Sequence, residues 1–411
     1  MPADAASTSL RVPMTATERH ATIGLAGISG LRLFGMFVIL PVLALYVERL
    51  PGGASRVLLG VALGIYGLTQ AALQVPFGWA SDRWGRKPVV YFGLAVFAAG
   101  SVVAALAADI AWIIVGRALQ GAGAISAVLI AMAADLTRDE VRTRAMAVIG
   151  ITIGTTFALS LIAGPVLTAW IGVPGIFLLT GALALASMAV VRHAIPDVPR
   201  PAGARPVPPG ALARALRDGQ LARLNYGVFA LHAVLMALFV QVPFALRDNG
   251  LAADRHWLVY LPVLVVSVLL MLPFLRRADQ PARGKRIFTG AVATLLAAQV
   301  ALALSQHSLA ALAVALTLFF AAFNLLEATL PALISKCAPE EIRGTAVGVY
   351  SCLQFLGTFA GGLAGGWLAQ HFGAASVFVL GVALAAIWFA ASATMTMPPA
   401  RYRSNYSMGE T

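Results

Sequence analysis

Glu327 has the most chemistry to offer, because of where it stands. It lies inside the apolar run 309–334, and no other acid of the chain is so clearly within such a run. A carboxylate at hydrocarbon depth is expensive unless paired or protonated, which suits it to take up and release a proton. The alternative is a permanent ion pair with an arginine. Two arginines stand in apolar runs, Arg32 in 21–47 and Arg117 in 110–134. Each must face protein or water, at a cost of about 3 kcal/mol or more in lipid. Arg32 lies too deep for easy escape. Arg117 has the option of snorkelling to the outer headgroups, because its run starts near Ile110. His232, in run 224–246, can hydrogen-bond within a cavity, although a lone helical histidine more often packs than couples.

Around these groups the sequence offers a lining. Tyr66, Gln70 and Gln74 recur every fourth residue and share one helical stripe. With Phe34, Phe37, Phe157, Phe239, Phe323 and Asn324 they outline a mostly apolar cavity with a few polar points. Such a cavity suits amphipathic or lipophilic cations and neutral compounds rather than sugars. Each phenylalanine alone is weak evidence, since aromatic residues also face lipid.

A third group is the charged knot Gly78-Trp79-Ala80-Ser81-Asp82-Arg83-Trp84-Gly85-Arg86-Lys87, between apolar runs 57–77 and 88–108. A tight connection seldom needs an acid, three bases and two glycines. Gly78 and Gly85 are expected to permit a sharp reversal. Asp82 either caps the following helix or reaches the N-terminus of a distant one near Gly344 and Thr345, whose partial positive charge it would meet. Arg86 would pair with Asp135.

The elements that must position these residues are membrane helices. Sixty per cent of the 411 residues are hydrophobic and 11% charged, with a mean hydropathy of +0.85. Soluble domains carry about 25% charged residues. The apolar runs are 21–47, 57–77, 88–108, 110–134, 144–169 and 173–191, then 224–246, 256–275, 287–306, 309–334, 344–370 and 374–397. A crossing helix needs about 20 residues, and continuous rather than alternating apolarity argues against strands. The expected fold is an all-α membrane protein of twelve transmembrane helices in two six-helix halves.

Net charge is +12, but 23 of the 29 Lys and Arg fall in alternate connections and the two tails. That asymmetry places both termini in the cytoplasm and reads as topology, not nucleic-acid binding. The expected segments are a tail 1–20, a half 21–191, a basic Pro-rich linker 192–223, a half 224–397 and a tail 398–411. Within the linker, Ala211–Arg217 has the pattern of a short amphipathic helix. Glu140-Val141-Arg142 enters the fifth span and Glu341-Ile342-Arg343 the eleventh, an echo that fits duplicated halves with a site between them. Residues 1–20 are polar and show no cleavable signal. The two cysteines, Cys337 in an inner loop and Cys352 in a span, imply no disulfide framework. Gly284-Lys285-Arg286 lacks the rest of a phosphate-binding loop. No metal, cofactor or nucleophile–base pair is indicated, so an ion gradient is the expected energy source and enzymatic activity is not expected.

The G-x-x-x-D-R-x-G-R-K order after the second span resembles the signature loop of the major facilitator superfamily. The resemblance runs from about Ile23 to Met397. In that family the loop acts as an inner latch, which implies that role for Gly78, Asp82, Arg83, Gly85, Arg86 and Lys87 with Asp135. Arg117-Ala118-Leu119-Gln120-Gly121 resembles a second family motif, linked to proton coupling. Ser160-Leu161-Ile162-Ala163-Gly164-Pro165 is similar to the antiporter motif of drug exporters, with Ser160 in place of a glycine. Closest in detail is a drug/proton antiporter branch in which a small soluble domain follows the last span, whereas only Pro398–Thr411 remain here. The resemblance implies proton-coupled export from a bacterial inner membrane by a functional monomer whose partners are a small-molecule substrate, protons and the bilayer. Metabolite or organic-anion uptake and lipid flipping stay open as alternatives. A non-transporting receptor would need an extended partner-binding segment.

Overall fold

The computed structural model describes residues 13–197, 208–278 and 280–396. Thr15 opens the first helix with a capping box: its hydroxyl accepts from the Glu18 amide at 3.2 Å, while the Glu18 carboxylate accepts from the Thr15 amide at 2.8 Å. The first half contains α1 (Ala16–Phe37), α2 (Leu40–Val47), α3 (Arg56–Trp84), α4 (Arg86–Ala105), α5 (Ile110–Ala122), α6 (Ser126–Asp135) and α7 (Asp139–Ala194). A short α8 (Ala211–Arg217) leads into α9 (Gly219–Asp248), α10 (Trp257–Ala278), α11 (Pro281–Leu304), α12 (Leu309–Cys337), α13 (Arg343–Phe372) and α14 (Ala375–Ala393). No strand occurs among the described residues. The two tails and the Pro-rich middle of the linker lie largely outside them.

Eleven helical stretches among the described residues are long and apolar enough to cross a bilayer. One of them, α7, has 56 residues. At about 1.5 Å per residue that is far longer than a hydrocarbon core of about 30 Å. Gly172 breaks it with φ 65° and ψ 173°, leaving helices on either side that correspond to runs 144–169 and 173–191.

Several local expectations change. The run 21–47 is not one helix, since a turn at Val38 and Ile39 separates α1 from α2, with Pro41 in the first turn of α2. The run 110–134 breaks at Gly123–Ile125, where Gly123 leaves helical geometry at ψ 50°. Gly78 does not reverse the chain. It sits inside α3, and the reversal is made by Gly85 alone, at φ 97°. Cys337 ends α12 rather than lying in a loop, and both cysteines are free thiols.

Small residues fix how the halves meet. A Cβ on Gly60 would strike the Gly362 carbonyl, and one on Gly67 would lie 2.5 Å from the Phe355 carbonyl, so α3 and α13 touch backbone to backbone. Gly357 and Gly361 bring the adjacent face of α13 equally close to Phe229 and Ala233 of α9. Close approach of this kind needs glycine, because any Cβ would overlap the facing backbone, and in lipid such close packing is what holds helices together. The contact loosens toward the end that carries the α3–α4 turn. Beside Gly78, Gly344 and Gly348 the space is open. We call this the basic end, after its Arg and Lys.

Candidate functional site

Three helices of the second half bring one polar cluster together. His232 comes from α9, Glu327 from α12, and Tyr350 and Gln354 from α13. The Gln354 amide nitrogen lies 2.8 Å from His232 Nε2 and donates to Glu327 Oε1 at 3.3 Å. His232 Nε2 is 3.7 Å from Glu327 Oε2, which is itself buried without a hydrogen bond. His232 Nδ1 meets the Val228 carbonyl at 3.1 Å. Asn324, one turn before Glu327, turns to Ser267 of α10 at 3.3 Å. The acid and the histidine of the sequence reading are therefore neighbours.

The arginines are elsewhere. Arg32 donates to Ser126 at 2.5 Å, to Tyr66 Oη at 2.8 Å and to Gln70 Oε1. Gln70 in turn donates to Gln74 at 3.4 Å. Arg117 does not snorkel: it is 1% exposed, bonds Gln120 Oε1 at 2.9 Å and stacks 5.1 Å from the Tyr66 ring. Gln120 continues to Ser101 at 2.8 Å. Neither arginine pairs with Glu327, or with any carboxylate among the described residues, so the arginine ion pair given above as the alternative for Glu327 is not formed in this conformation. Both are spoken for by neutral oxygens of the first half. Tyr66, Gln70 and Gln74 are likewise buried around Arg32 instead of lining open space.

Aromatic rings bridge the halves. Phe157 of α7 packs edge-on to Phe37 at 4.9 Å and against Phe323 at 5.7 Å. Phe323 lies 6.0 Å from the His232 ring. Phe34 is half-buried against the hydrophobic core. Phe239 is fully buried in the core and lines no opening in this conformation.

At the basic end Arg86 links two acids, donating to Asp82 Oδ1 at 2.5 Å and to Asp135 Oδ2 at 3.0 Å. Lys87 pairs with Asp197 at 2.7 Å and holds that carboxyl below the usual carboxylate range. Arg83 lies 5.7 Å from the Trp79 ring. Asp82 does not cap α4, whose N-cap is Gly85 with no side-chain bond. In this conformation its partner is Arg86, and the start of α13 at Gly344 stands clear. Glu18 and Arg138 add a further tie, unsuspected from sequence, at 2.8 Å.

The opposite end is closed. Glu48 binds Arg247 at 2.5 Å, the Gln370 side chain accepts from the Ser55 hydroxyl at 3.0 Å, and Arg56 lies 3.3 Å over the Phe244 ring. These pairs join the halves and were not read from sequence, because nothing local marks an exposed charge as a gate. Ser160, Gly164 and Pro165 sit where α7 crosses the α1–α2 turn. The Ser160 hydroxyl approaches the Phe34 carbonyl at 3.5 Å, and Gly164 leaves room for the backbone of Val38. A small residue at 160 is what this crossing requires.

The sequence profile of the Major Facilitator Superfamily matches residues 25–277 and again 253–409. The chain belongs to that superfamily. It is 44% identical over 391 residues to the inner membrane transport protein YajR of Escherichia coli, covering 94% of this chain and 85% of that protein. It is 26% identical to the multidrug resistance protein MdtH of Proteus mirabilis, over 82% of this chain and 84% of MdtH. A solved bacterial homologue of the human lysosomal transporter Spinster superposes with a TM-score of 0.77 at 14% identity, covering 93% and 98% of the two chains. The human organic anion transporter MFSD10 does so with a TM-score of 0.68 at 20% identity, covering 91% and 99%. These two show the fold alone. The chain is a multi-pass inner-membrane transporter of this superfamily.

Proposed function

We propose that this transporter is a proton-coupled exporter of small, largely apolar or amphipathic compounds that works by alternating access. The observation that carries the reading is Glu327, an acid at membrane depth whose partners are the neutral Gln354 amide and His232 rather than an arginine. A carboxylate without a fixed cation can change charge during a cycle. The aromatic group of Phe37, Phe157 and Phe323 beside it supports an apolar substrate. The name of MdtH supports export of drug-like compounds.

In this reading α7 supplies two crossings, making twelve, and the charge asymmetry sets the basic end and both termini in the cytoplasm. The conformation is then open to the inside. The residues 78–87 act as the latch when the halves close there, and one copy suffices for transport. Arg32 and Arg117, buried with no acid partner among the described residues, favour a second reading, uptake of an organic anion. Proteoliposomes with an imposed proton gradient and a panel of lipophilic cations, neutral compounds and organic anions separate the two. Proton movement coupled to opposite flow of cations or neutral compounds supports export; co-movement of protons with anions supports the second reading.

A further inference from the structure

Gln354 has no place in the family motifs quoted above, yet it touches both titratable residues of the site. Its amide nitrogen lies 2.8 Å from His232 Nε2 and 3.3 Å from Glu327 Oε1; the carboxylate oxygen accepts, so the NH2 side of the amide faces both residues. On the far side of the imidazole, Nδ1 lies 3.1 Å from the Val228 carbonyl, which can only accept. Nδ1 therefore carries a proton and Nε2 presents a lone pair to the amide. An imidazolium would set an N–H against an N–H. The arrangement fits a neutral ring.

Without the amide the balance changes. Nε2 also faces Glu327 Oε2 at 3.7 Å, and that buried oxygen has no hydrogen-bond partner. A free Nε2 would be open to a proton and to a lasting ion pair with Glu327, whose Oε2 is buried without a donor. Among the described contacts, the other titratable group near Glu327 is Tyr350 on α13, whose hydroxyl is buried without a partner. From α10 comes only Ser267, by way of Asn324, and from α7 the uncharged Phe157.

We propose that Gln354 is a positioning residue whose amide holds His232 neutral and so leaves Glu327 free to take up and give off the proton. The inference rests on the reading of Glu327 as the carrier. Its consequence is specific: the pair is kept from collapsing into a salt bridge by a residue that bears no charge.

The test is the protonation of His232 in the full-length transporter, labelled with nitrogen-15 at histidine and placed in lipid nanodiscs. The signal is assigned by its loss in His232→Asn. At neutral pH the wild type is expected to show a neutral ring with its proton on Nδ1. Gln354→Met keeps the length and removes the donor, and its His232 is expected to give the imidazolium signature. Adding Glu327→Gln should return the ring to neutral. A wild-type ring protonated on Nε2, or a methionine variant indistinguishable from wild type, overturns the proposal. Should that variant not fold, Gln354→Leu is measured in its place, and a ring that stays neutral there overturns the proposal in the same way. Proton-driven transport by Glu327→Gln is measured separately. If it persists, the carrier reading fails; if it is lost while the tautomer ignores Gln354, only the role of Gln354 fails.

Discussion

Arg247 on α9 holds Glu48, just past α2, at 2.5 Å, so an ion pair joins the halves at the closed end. Both side chains are more than one-third exposed. An exposed pair is worth about 0.2–1 kcal/mol, equivalent to about fivefold in a population at most. Glu48→Gln is expected to shift the protein modestly toward opening at this end, and the double swap Glu48→Arg with Arg247→Glu to restore most of the loss. Spin labels at exposed Ala54 and Phe372 report the distance across the gap. Equal distance distributions in wild type and Glu48→Gln would show that the glycine contacts close this end without the pair.

Those glycine contacts give a prediction of opposite sign at the two ends of α13. A Cβ on Gly60 meets backbone, whereas one on Gly348 meets open space. Forcing bulk into a packed contact costs about 1–3 kcal/mol. Gly60→Val is expected to lower thermal stability and favour the conformation closed at the basic end. Gly348→Val is expected to leave stability unchanged here but obstruct closure of the basic end. Thermal unfolding with distance measurements at both ends tests the pair of variants.

Arg117 separates a structural from a functional role. Its guanidinium is buried against Gln120 and Tyr66 with no acid among the described residues, and replacing a buried charge by a well-packed apolar residue is often neutral or stabilising. Arg117→Met is therefore expected to unfold at the same temperature or higher while transport falls at least about tenfold. Loss of stability in step with transport would mark Arg117 as scaffold.

At the basic end, Asp82→Asn keeps the shape and removes the charge available to the start of α13. Transport is expected to be lost with near-normal membrane insertion, and the population to move further toward the open basic end. Arg86 reaches both Asp82 and Asp135, so exchanging charges at 86 and 135 should recover part of what either single change removes. A double-mutant cycle measures the coupling, and a value near zero would mean that the two act apart.

Glu327→Gln mimics the protonated acid. It is expected to bind substrate and exchange it passively, but not to accumulate it against a gradient. Counterflow compared with proton-driven uptake in the same vesicles reads the difference. Full proton-driven transport would move the carrier role to another group, with His232 next in line.

Much of this was legible without coordinates. Apolar runs, the bias of Arg and Lys, and the 78–87 motif are local properties, because the bilayer acts on each segment as a solvent and imposes length and charge segment by segment. Gly85 could be read as a turn for the same reason, while Gly78 was misread because a glycine inside a continuing helix gives the same local signal. The breaks at Val38–Ile39 and Gly123–Ile125 were not legible, since they answer to neighbours: the first lies against Gly164 of α7, and Gly123 against Gly93 and Phe97 of α4.

The sequence by itself marked Glu327, His232, Arg32 and Arg117 as groups that need partners, because lipid offers none. It could not say which partners. Rotation of each helix about its axis and the register between helices distant in sequence decided that. They set His232 and Gln354 against Glu327, and sent Arg32 to Tyr66 and Arg117 to Gln120. A one-residue turn of a helix moves a side chain by about 100°, and only packing against the other helices selects the angle.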